Sequence, residues 1–194
     1  MAKSATKDLT TGSPMKLILG FMLPLFLGML FQQFYNMVDT AIVGQFLGIK
    51  ALAGVGSTGS INFLVLGFVQ GVCTGFAIPV AQMFGAKDYT AMRKYVGNTI
   101  WISAIFAVVL TTSTCLLCTN ILTWMNTPDD CFREAYDYIF VIFLGIPVTF
   151  LYNILSGIIR SVGDSKTPLY FLIISSLLNI GLDPLFIYVF GMGV

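Results

Sequence analysis

The sequence predicts an all-α membrane protein, and three observations lead there. Hydrophobic residues make up 57% of the 194 and charged residues only 10%, where a soluble domain carries about 45–50% and about 25%. The mean hydropathy is +0.88. The apolar residues also gather into five long stretches, roughly 17–46, 51–84, 96–124, 139–160 and 168–190. Each reaches the ~20 residues that carry a helix across a bilayer. A segment in lipid must satisfy its own backbone groups or join a closed barrel, and the alternation of a barrel strand is missing here. Five spanning helices are therefore expected.

The elements follow in order. Residues 1–16 form a polar tail without a signal-peptide pattern, and 17–194 form the transmembrane unit. Lys and Arg in the connections set the orientation. Lys3, Lys7, Lys16, Lys87, Arg93, Lys94, Arg160 and Lys166 fall on one side, against Lys50 and Arg133 on the other. The N-terminus is thus expected in the cytoplasm, and the protein in the plasma membrane (the inner membrane of a bacterium). The second and third stretches hold no charge at all. An odd number of spans with no internal repeat suggests part of a longer protein, since bundles that carry substrates are commonly built from repeated units.

Composition also removes whole classes of function. A net charge of +1 leaves no excess positive charge for a nucleic-acid partner. The chain has no His, the commonest general base and metal ligand. Four cysteines (Cys73, Cys115, Cys118 and Cys131) are too few and too apolar in setting for a disulfide scaffold.

Seventeen of the nineteen charges lie in connections or near helix ends; Asp39 and Asp183 do not. An ionised carboxylate in a span costs about 2.5–3.5 kcal/mol on insertion scales, so it normally faces a wet cavity or a partner. Both acids fall in the outer half of the membrane and could meet at one depth. Tyr35 and Asn36 precede Asp39 by a helical turn, and Asn179 precedes Asp183 by another. Such oxygens suit a hard cation such as Na⁺, and the carboxylates could take a proton instead. Pro184 frees the carbonyl of Ile180 as one more acceptor.

Prolines 24, 79, 147 and 184 should kink or loosen their helices. Pro24 separates the half of the first helix that carries Asp39 and is the best hinge candidate. Other patterns carry no chemistry. Gly54-Val55-Gly56-Ser57-Thr58-Gly59 fits G-x-G-x-x-G without the strand a nucleotide fold needs. Gly67, Gly71 and Gly75 read as a helix-packing stripe, and Cys115-x-x-Cys118 as ordinary packing within an apolar helix. In the fourth connection Thr167 reads as an N-cap, Pro168 as the first helical residue and Gly163 as a turn. Arg160 and Lys166 anchor that face, and Asp164 has either base as a partner.

These residues together resemble the multidrug and toxic compound extrusion (MATE) transporters. The resemblance rests on Pro24 followed by Tyr35-Asn36-x-x-Asp39-x-x-x-Val43-Gly44, on Arg160-x-x-Gly163-Asp164-x-x-x-Pro168, and on Asn179-x-x-x-Asp183-Pro184. It covers nearly the whole chain. It implies a secondary exporter of cationic or amphipathic organic compounds driven by inward H⁺ or Na⁺, with no cofactor beyond that ion. It also implies a twelve-helix protein of two six-helix lobes, of which this chain would supply five helices of the first. The cation site implied is Asp39, Asn179 and Asp183, with Tyr35 and Asn36 beside it and bending at Pro24. The sixth helix and the second lobe would be missing partners.

Two alternatives fit the residues less well. A lipid-linked precursor flippase of the same superfamily would need basic residues in mid-span, and none stands there. An intramembrane aspartyl protease would need facing carboxylates, but Asp137 and Asp164 stand at opposite ends of one span, ~30 Å or more apart.

Overall fold

The computed structural model describes the backbone of residues 12–190, with all side chains there except those of 183, 184 and 187–190. The described residues form helices without a strand: α1 (Pro14–Phe46), α2 (Gly48–Gly85), α3 (Tyr89–Leu116), α4 (Cys118–Trp124), α5 (Phe132–Leu144), α6 (Ile146–Ser161) and α7 (Lys166–Phe190).

Helices α1, α2 and α3 are each long and apolar enough to cross a membrane, and α5 with α6 makes a fourth crossing bent by 45°. In α7 the run Lys166–Leu182 is apolar, and the helix continues to Phe190. The expected third and fourth helices are therefore each divided. At the fourth, Gly145 N donates to the carbonyls of both Val141 and Ile142, and Pro147 stands in the first turn of α6. Proline has no N–H to donate one turn back, so the helical ladder breaks there. At the third, the break at Leu117 places Cys115 and Cys118 on two helices rather than within one. Pro24 and Pro79 lie inside the unbroken α1 and α2.

Helix starts lie earlier than hydropathy suggests, because polar first turns are still helical. Asp88 Oδ1 accepts from Ala91 N at 2.9 Å and opens α3, seven residues before its apolar run. Such capping satisfies an N–H that has no partner within the helix. The reversal from α1 to α2 needs only Leu47, because Gly48 takes φ +85, a conformation open to glycine at no steric cost.

α2 is the central helix and packs on α5, α6 and α3, whereas α1 packs chiefly on α7. Val69, Leu122, Ile139, Phe143, Ile146 and Phe150 form a core with almost no exposure. In lipid, helices associate through close packing rather than through release of water. Close approach marks the contacts: a Cβ on Gly54 would stand 3.0 Å from Ala135 N, and one on Gly157 would stand 3.4 Å from Ala77 Cβ. The expected packing stripe is different. Around Gly67, Gly71 and Gly75 no described atom lies within 4 Å of an added Cβ, so these three face outward. Their spacing identified a small-residue face but not a neighbour.

Candidate functional site

The site is built where α1 meets α7. These two helices run parallel: Gly28 of α1 packs against Leu169 and Leu172, and seven residues further along Tyr35 meets Asn179. Gly28 is buried, and its missing side chain is what lets Leu169 and Leu172 close on the α1 backbone. The second contact is polar. Tyr35 Oη donates to Asn179 Oδ1 at 2.6 Å, a short O–H···O distance. Both residues are partly buried. A hydrogen bond between partly buried groups far apart in sequence fixes helix register more tightly than apolar contact does.

Asp39 lies one helical turn beyond Tyr35 and is also partly buried. Asp183 lies one turn beyond Asn179 in α7, on the same step of the shared register. Its side chain, like that of Pro184, lies outside the described residues, and so does the expected acceptor role of the Ile180 carbonyl beside it. Among the described residues no cluster of three His, Cys, Asp or Glu stands ready for a metal. Any cation here would be held by a mixed set of carboxylate, amide and hydroxyl oxygens, the hard donors that Na⁺ accepts.

Asn36 does not join this group. It is exposed, accepting from Gln32 Nε2 and donating to Gln33 Oε1, both at 3.4 Å. It lines an open groove with Met37, Thr40 and Gly44 of α1 and Leu52 of α2. Adjacent helical residues point about 100° apart, so Tyr35 and Asn36 serve different faces. The sequence reading missed Gln32 and Gln33, although paired glutamines in an apolar helix were a visible signal.

The fourth connection is also rearranged. Helix α7 begins at Lys166, two residues before Pro168, and the cap is Asp164 rather than Thr167. Asp164 Oδ1 accepts from Lys166 N and Thr167 N, each at 3.0 Å, and Oδ2 accepts from Thr167 Oγ1 at 2.6 Å. Burial pushes this carboxyl upward, but the Thr167 and Lys166 hydrogen bonds and the Lys166 charge outweigh it. They hold the group below its ordinary value. Arg160 turns its Nε to the Ser156 carbonyl at 3.1 Å. Gly163, at φ +86, makes the expected turn. This connection fixes where α7 starts, and so sets the height of Asn179 against Tyr35.

Comparison with known proteins agrees with this architecture. The family model described as MatE matches residues 24–185. Probable multidrug resistance protein YoeA of Bacillus subtilis is 34% identical over 86% of this chain, and YpnP of the same organism is 32% identical over 96%. The chain spans 36% and 42% of the lengths of those two relatives. Among solved structures, a MOP superfamily transporter from Pyrococcus furiosus superposes with a TM-score of 0.87 at 28% identity. That match covers all of this chain and 42% of the other. The chain is a multi-pass helical protein, and because the family model matches residues 24–185 it belongs to the MATE family.

Proposed function

We propose that this chain carries the cation-coupling site of an efflux transporter that exchanges cationic or amphipathic organic compounds for inward-moving H⁺ or Na⁺. The observation that carries the reading is the 2.6 Å bond from Tyr35 to Asn179. It ties α1 to α7 in the register that sets residues 39 and 183 one turn further along both helices. A carboxylate in a span needs a cation, a proton or water to offset its lost hydration. Asp39 is the first ligand, with Asn179, Asp183 and the Tyr35 hydroxyl completing the set. Organic cation and coupling ion compete for this negative charge, and each favours a different conformation of α1, with Pro24 as the hinge. Such coupling requires that difference in preference. The remaining helices of the transporter, including a sixth helix and a second lobe, are the partners of this chain. The excess of Lys and Arg at the end that begins α1 supports an orientation with that end in the cytoplasm of a bacterial inner membrane.

The test is drug accumulation in cells expressing the complete reading frame as wild type, Asp39→Asn or Asp183→Asn. Both variants should accumulate drug as non-expressing cells do, and varying Na⁺ and pH separates the two ions. Undiminished efflux in both variants would sink the proposal.

A further inference from the structure

A second site stands apart from the Tyr35–Asn179 contact. A cavity of about 660 Å³ opens between α1, α2 and α6, at the end of the bundle where α1 begins. Its walls are mainly apolar, with Phe21 and Leu25 from α1 and Ile78 from α2, while Thr74, Asn153 and Ser161 add polar groups. Among the described residues, Lys87 and Arg160 are the only charged ones that line it. The nearby acids are engaged elsewhere: Asp88 Oδ1 accepts from Ala91 N, and Asp164 caps α7.

Lys87 has φ 58 and forms the left-handed stop of α2, closed by Lys87 N donating to the Phe84 carbonyl and Asp88 N to the Met83 carbonyl, both at 3.0 Å. Glycine is the usual residue at such a stop, yet here a lysine lines the cavity. Arg160 uses Nε to bond the Ser156 carbonyl, which orients the guanidinium while leaving most of its five N–H donors for something else. Lining it too, Phe84 and Tyr89 meet edge to face, ring centres 6.3 Å apart, and tyrosine is enriched at headgroup depth.

We propose that this cavity seats an anionic phospholipid, its phosphate between Lys87 and Arg160 and an acyl chain along Phe21, Leu25 and Ile78. An organic cation fits less well here, because Lys87 and Arg160 repel it and no acid is among the described lining residues. A free inorganic anion leaves the apolar walls unused. Basic pockets between spanning helices commonly hold such headgroups. The proposal is independent of the cation-coupling reading, since neither Asp39 nor Asn179 lines this cavity.

The experiment is native mass spectrometry of the detergent-solubilised full chain, titrated with phosphatidylglycerol or with phosphatidylcholine of the same acyl chains. Phosphatidylglycerol should bind about tenfold more tightly. Lys87→Gly should lose most of that preference while unfolding at the same or a higher temperature, a combination misfolding does not produce. Arg160→Gln should lose it as well. Ala81→Trp, which fills the cavity and keeps both charges, should abolish phosphatidylglycerol binding. Arg93→Gln with Lys94→Gln, at the same end outside the cavity, should leave binding within about twofold. Equal binding of the two lipids, equal loss in the Arg93/Lys94 control, or full binding by Ala81→Trp would overturn the proposal. Displacement of the lipid by an equal concentration of inorganic phosphate would overturn it too, and would identify a free-anion site.

Discussion

The hydroxyl of Tyr35 and the amide oxygen of Asn179 lie 2.6 Å apart, joining α1 to α7 across 144 residues of sequence. The bond sits one turn before Asp39. It acts as a register pin next to the residue on which the proposed chemistry depends.

Removing the hydroxyl tests the pin. Tyr35→Phe keeps the ring and deprives Asn179 of a donor, at a cost of about 1 kcal/mol. The thermal midpoint should fall by a few degrees, roughly as expected for a chain of this size. Transport should be impaired beyond what that small loss of stability explains. An unchanged midpoint together with unchanged transport would remove the pin from the account.

Asp164 gives a pH dependence whose sign follows from its surroundings. Its folded-state carboxyl lies below the ordinary value, so its contribution is fully present above about pH 4, the unfolded range for Asp. That contribution is lost as pH falls through the lower folded value. Asp164→Ala should cost about 1–2 kcal/mol at neutral pH as a lost cap, and its deficit against wild type should shrink on acidification. Denaturation midpoints of both proteins between neutral and strongly acidic pH check this.

Two glycine substitutions in α2 should act in opposite directions. Gly54→Ala places a Cβ 3.0 Å from a backbone nitrogen and 3.2 Å from a backbone carbon of α5. Neither atom yields cheaply, so a loss of about 1–3 kcal/mol is expected. Gly71→Ala meets nothing within 4 Å and should be neutral or gain up to about 1 kcal/mol from reduced backbone freedom. Comparing the two unfolding temperatures decides whether α2 uses its glycines as the structure indicates.

Phe143 is fully buried among α2, α4 and α6 side chains. Phe143→Ala should cost about 3–5 kcal/mol, enough to lower the yield of folded protein on size-exclusion chromatography in detergent. Leu144→Ala, one residue along and exposed, should elute as wild type does.

The spans were readable because continuous apolarity has one solution in lipid, and residues 51–84 coincide closely with α2. Their internal breaks were not equally visible. Gly145-Ile146-Pro147 does carry a breaking signal, since proline cannot donate one turn back. Leu117, flanked by apolar residues, carries none. Asp164 and Thr167 are both good caps by type, and only the hydrogen bonds show that the carboxylate takes two backbone N–H groups and a hydroxyl together. Gly67, Gly71 and Gly75 had the spacing of a packing face, but spacing names no neighbour. The close-packed Gly54 stood inside a motif set aside for good reason. At the site, Tyr35 and Asn179 were legible as polar residues in apolar helices. Asn36 was legible as polar, but its exposure and its hydrogen bonds with Gln32 and Gln33 were not.

The proposed coupling is tested most directly by binding. Purified transporter from the complete reading frame would be titrated with a fluorescent organic cation while Na⁺ and pH are varied. Wild type should bind the organic cation more weakly as Na⁺ or H⁺ rises, because both seek the charge at Asp39. In Asp39→Asn that dependence should disappear. If Asp39→Asn keeps the full dependence on both ions, the claim that Asp39 couples ion and substrate is contradicted.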